Sequence, residues 1–173
     1  MSKLRRPFLS DRYIFITVRL LPRRTKASEL EFELLARAFN RARASHRFYL
    51  TAWVFLPDHW HCIVALQYPE TISQVIKSVK QSSTTGINQR RGTEGELWQE
   101  RFFDRAIRTV KEYHEKVEYI HLNPVRARLV GHPQDWRWSS YSEYADMRPE
   151  EQRHRCGLTI DRVRIPTDPR TRL

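Results

Sequence analysis

From Tyr49 to Leu66 the chain reads Tyr-Leu-Thr-Ala-Trp-Val-Phe-Leu-Pro-Asp-His-Trp-His-Cys-Ile-Val-Ala-Leu, an apolar and β-branched run interrupted chiefly at Pro57-Asp58. Two strands, about 49–56 and 60–66, joined by so short a connection, pair as an antiparallel hairpin. Side chains alternate along a strand, so His59 and His61 share one face, while Trp60, Cys62, Val64 and Leu66 share the other. Two imidazoles above an apolar row form half of a metal site. For an isolated His-x-His the commoner case is two polar residues on the solvent face of a half-buried strand, so the rest of the chain must decide.

The flanking segments set the fold around this hairpin. Tyr13-Ile-Phe-Ile-Thr-Val-Arg-Leu-Leu21 reads as a strand. Ser28-Glu-Leu-Glu31 is a capping box opening a helix to about Arg47, with Leu30, Leu34, Leu35, Ala38 and Ala42 as its apolar stripe. Thr71-Ile-Ser-Gln74 opens a second helix, through Val75, Ile76 and Val79, to roughly Asn88. Residues 97–108 read as one or two short strands. A third helix spans about 110–122, with Asn123-Pro124 interrupting it because proline disfavours helical geometry in the residue before it. Strand, helix, strand, strand, helix, strand, helix is an α+β plan, close to a ferredoxin-like split βαβ, with an antiparallel sheet and helices packed on one face. One domain is expected over 1–147, followed by a polar, charged tail of uncertain order over 148–173.

Composition narrows the function. The 173 residues include five Trp, seven Tyr and eight Phe at 40% hydrophobic content, enough for a real core. No apolar run approaches the ~18 residues of a membrane span, so no membrane partner is expected. Nor does an apolar signal segment follow the basic N-terminus. Cys62 and Cys156 form no metal-type pair, which suits a cytoplasmic chain with free thiols. The net charge of +11 favours a polyanionic partner. Residues 1–26 carry eight Lys or Arg against the single acid Asp11, the pattern of a phosphate-contacting arm.

In the third helix Tyr119 and Asn123 are four residues apart and share a face. A tyrosine can attack phosphorus and keep the energy of a broken phosphodiester as a phosphotyrosine. An Asn carbonyl oxygen can ligate a hard divalent ion. Equally, Tyr119 suits an amphipathic core position with its hydroxyl at the rim, and Asn123 suits an N-cap for a turn begun by Pro124. A zinc hydrolase using the histidine pair with His121 or Cys62 is a further reading, although no His-Glu-x-x-His or cysteine pair accompanies it.

Four blocks in order then carry a resemblance: Leu56-Pro-Asp-His-Trp-His61, Leu97-Trp-Gln-Glu-Arg-Phe-Phe-Asp104, Tyr119-Ile-His-Leu-Asn-Pro-Val-Arg-Ala-Arg-Leu-Val130 and Asp135-Trp-Arg-Trp-Ser-Ser-Tyr141. Over about residues 10–145 the chain resembles the REP-associated tyrosine transposases, a branch of the IS200-like single-tyrosine HUH transposases. The resemblance implies a ferredoxin-like HUH nuclease fold that cuts single-stranded DNA at extragenic palindromes. It implies His59 and His61 as metal ligands with Asn123, a divalent ion such as Mg2+ or Mn2+, and Tyr119 as the nucleophile of a 5′-phosphotyrosine intermediate. It also implies a hairpin DNA partner, a nucleoid-associated location and, with the oligomeric state open, favours a monomer. A hairpin-binding protein that no longer cleaves is the alternative.

Candidate DNA contacts are Lys3, Arg5 and Arg6 of the arm, Lys77 and Lys80 of the second helix, and Arg101 and Arg105, with Arg108 beside them. Free tyrosine has a pKa of about 10, so the attack needs help from the metal, a cation or a base. His114, Lys116 and His121, near Tyr119 in sequence, are expected at the surface.

Overall fold

The computed structural model describes residues 12–145 and 157–173. In chain order they form β1 (Tyr13–Arg19), α1 (Glu29–Ser45), β2 (Phe48–Phe55), β3 (His59–Leu66), α2 (Ile72–Arg91), β4 (Phe103–Ala106), α3 (Val110–Arg126), a 3-10 turn (Pro133–Asp135) and α4 (Tyr141–Tyr144). The sheet order is β2-β3-β1-β4, and every neighbouring pair is antiparallel. β1 and β2 therefore run parallel with β3 between them, which is the split βαβ arrangement. The α+β antiparallel plan expected from sequence is the one observed. No helix among the described residues is long and apolar enough to cross a membrane.

One part of that plan changes. Helices do not pack on one face only. β3 is buried along nearly its whole length, so both sides of the sheet need covering. The Ile16, Val18, Trp60, Cys62 and Val64 side packs under α1 and α2 through Phe32, Leu35, Phe39, Val75, Ile76 and Val79. The opposite side, with Phe15, Ala52, Val54 and Ile63, is covered by Tyr113, Val117 and Ile120 of α3. The stripe of α1 is also turned from its expected setting. Leu30 is half exposed, while Phe32 and Phe39 go into the core. These two bulky rings bury more apolar surface than Leu30 would, and they set the rotation of the helix.

Local chemistry explains the helix ends. Glu31 accepts a hydrogen bond from the Ser28 N–H at 2.8 Å, completing the capping box of α1. The Thr71 hydroxyl accepts from the Gln74 N–H at 3.3 Å, and α2 closes on Gly92 at φ 62°, where a residue without Cβ avoids strain. α3 departs from expectation and continues through Pro124 to Arg126. Pro124 lies in the final turn, and the Ala127 N–H still bonds the Asn123 carbonyl at 2.8 Å. Asn123 is thus inside a helix and caps nothing.

The tryptophan-containing blocks 97–104 and 135–141 both pack against the sheet. Phe55 N–H donates to Trp138 O, Ser140 N–H to Trp53 O, and Trp136 Nε1 to the Phe55 carbonyl, so residues 136–140 lie along the edge of β2. Leu97 and Trp98 are buried, and Trp98 Nε1 donates to Ser83 Oγ at 2.9 Å. The described part of the expected tail packs against the domain. Asp161 bonds Leu50 through both backbone and carboxylate and pairs with Arg43, Leu158 enters the core, and Leu173 N–H donates to the Arg108 carbonyl.

Glu31 is 5% exposed and receives both Arg91 Nε at 2.6 Å and Arg91 Nη2 at 2.8 Å, tying the start of α1 to the end of α2. Burial works against ionisation of Glu31, but the Arg91 and Ser28 bonds outweigh it, and its pKa lies below the ordinary value. Arg91→Ala should lower the unfolding free energy by about 3 kcal/mol, read as a lower urea midpoint at unchanged m-value. Because the folded-state pKa is depressed, the stabilisation is full above the ordinary value of 4.5 and is lost as pH falls through the folded-state value. The gap between wild type and variant should therefore narrow in acid.

Candidate active site

Strand register builds the site. His61 is the partner of Thr17 on β1 and of Val54 on β2, and His59 is the partner of Arg19. Phe15, Thr17, Arg19, His59, His61 and Ile63 therefore share one face, the one covered by α3. Trp60 and Cys62 face the opposite core at 0% exposure, as alternation requires. Burial pushes the Cys62 thiol upward, away from any role as a thiolate.

Each histidine is held by its Nδ1. His61 Nδ1 lies 2.8 Å from Thr17 Oγ1, and His59 Nδ1 lies 2.7 Å from Asp58 Oδ1. The Asp58 carboxyl is held below its ordinary value: burial opposes this, and the His59 bond outweighs it. With a proton on each Nδ1, both Nε2 atoms present lone pairs, and the ring centroids are 4.8 Å apart. His61 Nε2 is buried and has no hydrogen-bond partner among the described residues. A buried polar nitrogen left bare is costly, unless it serves an incoming ligand. Burial, then the charges of His59 and Arg19, push the His61 pKa down to about 3. The ring is neutral at physiological pH, the state a metal ligand needs.

Tyr119 comes to this pair from α3. Its ring lies 5.4 Å from that of His61 and 5.8 Å from that of Phe15, edge-on to both. Phe15 stacks on His61 at 5.3 Å and forms the floor between them. Asn123, 8% exposed, follows Tyr119 by one turn on the same helical face. Among the described residues, no three of His, Cys, Asp and Glu are grouped to hold a metal. A third protein ligand, were the histidines to hold a metal, would be of another type, such as an Asn carbonyl oxygen. The zinc hydrolase reading loses its donors. Cys62 is on the wrong face, and His121 is buried beside α4 with Nε2 2.9 Å from Ser140 Oγ.

His114 is exposed, as expected, but two neighbours of Tyr119 are not surface bystanders. His121 is 6% exposed, packed against Tyr141 and Tyr144, and burial pushes its pKa down to about 4. Lys116 places its Nζ 4.9 Å from the Phe15 ring centroid and 5.7 Å from that of Tyr119. The Arg126 guanidinium lies 5.3 Å from the Tyr119 ring centroid on the same side chain's other flank in sequence. Lys116 and Arg126, with Arg19, are the charged groups that sequence reading missed. Positions 116, 119, 123 and 126 have helical spacing and could have been joined to the site; Arg19 depends on a strand register that sequence does not show.

The expected DNA contacts fare differently. Lys3, Arg5 and Arg6 lie outside the described residues. Lys77 is exposed on α2. Lys80 is committed to the fold: its Nζ donates to the carbonyls of Gln99 at 2.8 Å and Glu100 at 3.0 Å. Arg101 is exposed, and Arg105 is 60% exposed with its Nε 3.0 Å from Glu112.

Comparison with known proteins follows the same lines. A family model described as IS200-like transposase matches residues 12–123. The chain is 32% identical over 142 residues to the REP-associated tyrosine transposase of Escherichia coli K12, covering 82% of this chain and 83% of that one. It is 28% identical over 166 residues to a protein of Haemophilus influenzae Rd described as a REP-associated tyrosine transposase, covering 87% and 93%. A solved structure of a REP-associated tyrosine transposase bound to a REP hairpin superposes with a TM-score of 0.75 at 30% identity, over 85% of this chain and 87% of that one.

Thr17 Oγ1 is the hydrogen-bond partner of His61 Nδ1 and so the group beside it able to bias its tautomer. In Thr17→Val, nitrogen-detected NMR should show His61 exchanging between tautomers where the wild type holds one. The lost bond should cost about 1–2 kcal/mol of stability in the same sample.

Proposed function

The chain belongs to the IS200-like transposase family, and we propose that it cleaves and rejoins single-stranded DNA at a hairpin, using Tyr119 as the nucleophile. The observation that carries this reading is the bare, buried Nε2 of His61, set beside the Tyr119 ring on one face of the sheet. His59, His61 and Asn123 would hold a divalent ion, Mg2+ or Mn2+. When bound, that ion supplies Lewis acidity and orientation to the scissile phosphate.

The chain's own groups do the rest. Tyr119 Oη forms a bond to phosphorus as the bond from phosphorus to the 3′-oxygen breaks. The phenolic proton departs and the leaving oxygen takes one up, giving a 5′-phosphotyrosine and a free 3′-hydroxyl. The phosphodiester count is unchanged, so a 3′-hydroxyl can reverse the reaction and join strands. Lys116 and Arg126, flanking the Tyr119 ring, offset negative charge on the phenolic oxygen as the attack develops. Arg19, beside His59, faces the phosphate from β1. Asp58 and Thr17 keep both imidazoles turned to the site.

The hairpin assignment is supported by the solved relative, which is bound to a REP hairpin. The basic arm with Lys3, Arg5 and Arg6, together with Lys77, Arg101 and Arg105, would supply contacts to the duplex or its flanks. Affinity should then fall linearly with the logarithm of salt concentration.

Tyr119→Phe should abolish covalent adducts with a hairpin carrying single-stranded flanks, seen on a denaturing gel, while leaving hairpin affinity within about twofold of wild type. His59→Ala and His61→Ala should each abolish the adduct, and EDTA should do the same to the wild type. Wild-type cleavage by Tyr119→Phe would remove the nucleophile assignment, and undiminished cleavage in EDTA would remove the metal. An intact protein that binds the hairpin and never forms an adduct would be a binding module.

A further inference from the structure

Phe103 is 56% exposed and lies on the edge strand β4. It is the partner of Thr17, which is the partner of His61. Val54, His61, Thr17 and Phe103 thus form one row across four strands on the site face. Two strand spacings separate Phe103 from His61, about 10 Å between backbones. The Phe103 ring stands edge-on to Phe15 at 6.4 Å. Phe15 in turn stacks on His61 and meets Tyr119 edge-on. The exposed ring is therefore the outer end of an aromatic series that leads to the nucleophile.

A single exposed apolar side chain is ordinary on its own. Here its surroundings are specific. Arg105, the partner of Phe15, projects to the same face two residues on and is mostly exposed. Lys116 Nζ lies 4.9 Å from the Phe15 ring centroid. An exposed ring with Arg105, paired to Glu112, on the same face and Lys116 over the next ring inward suits a platform for unpaired bases: the ring stacks the base and the nearby cations face its backbone. Its contact with Phe15 covers only part of Phe103, and more than half of the residue stays open to solvent.

We propose that Phe103 stacks on an unpaired base flanking the scissile phosphate, and so sets which phosphate lies over Tyr119. This rests on the reading of Tyr119 and the histidine pair given above. The test uses the full chain and a synthetic hairpin whose single-stranded flank carries 2-aminopurine at one position at a time. Wild type should quench the probe at one flank position. Phe103→Ala should lose that quench and bind the flanked hairpin about tenfold more weakly, while binding a blunt hairpin as wild type does. Phe103→Trp should restore the quench, and Phe103→Leu, apolar but unable to stack, should not. Equal quench and affinity in wild type and Phe103→Ala, or full function in Phe103→Leu, would overturn the stacking role. If wild type forms its Tyr119-dependent adduct in that same experiment, the stacking role alone has failed. If no such adduct forms, the reading of the site fails and this inference falls with it.

Discussion

The antiparallel pairing of β3 with β1 is the constraint on which the site depends. A strand has a side-chain period of two, so a slip of one residue would turn both histidines into the core under α1 and α2 and put Trp60 on the face beneath α3. Trp60 prevents that slip. Its indole is fully buried, edge-on to Phe39 at 5.1 Å and to Trp98 at 6.2 Å. Pulling so large a ring away from these partners would forfeit roughly 2–3 kcal/mol of burial and leave two imidazoles in an apolar core without their hydrogen-bond partners. The register that satisfies Trp60 also puts Thr17 beside His61 and Arg19 beside His59. One apolar side chain thereby orients two polar ones that it does not touch.

The second requirement is that α3 stay fixed over that face, and the polar groups around it serve this end. Tyr113 and Tyr144 bring their hydroxyls within 2.9 Å, and Tyr144 donates to the Thr51 carbonyl at 2.6 Å. His121 reaches Ser140 Oγ, which also accepts from the Trp53 N–H. Helix, edge strand and α4 are thus joined through buried hydrogen bonds, which are costly to break one at a time. At the other end of the helix, Val110 and Lys111 donate to the carbonyls of Thr171 and Pro169. The C-terminal segment satisfies amides that a helix start leaves without partners. Tyr119, the proposed nucleophile, thus sits on a well-braced helix, which is how a site keeps its geometry.

Much of this was legible in the residues. The hairpin followed from Pro57-Asp58 between two apolar runs, the two faces of β3 from alternation, and the helix starts from Ser28, Glu31, Thr71 and Gln74. The pairing of Tyr119 with the histidines needed the family resemblance, because 58 residues separate His61 from Tyr119 and no local pattern encodes that distance. Three features escaped for physical reasons. The side of the sheet taken by α3 depends on tertiary packing, since an amphipathic stripe does not say which apolar surface it meets. His121 and Lys80 look like surface groups until Ser140 and the carbonyls of Gln99 and Glu100 provide partners. The C-terminal segment is polar in composition, and its anchors, Asp161 and Leu158, are isolated in the sequence and leave no periodic trace.

Asn123-Pro124 shows how a local rule can be overridden in a way that bears on function. By propensity the pair marks a break, with Asn as cap and Pro as the first residue of a new turn. Instead α3 runs through it, at the expense of one backbone hydrogen bond in the final turn. The burial of Ile120, Asn123 and Pro124 on this stretch favours continuing the helix. Continuity keeps Asn123 one turn from Tyr119 and keeps Arg126 in reach of the Tyr119 ring. A break at Asn123 would have released all three from a common face. The capping explanation for Asn123 therefore fails on the backbone itself, while a role beside Tyr119 needs only the helix that is there.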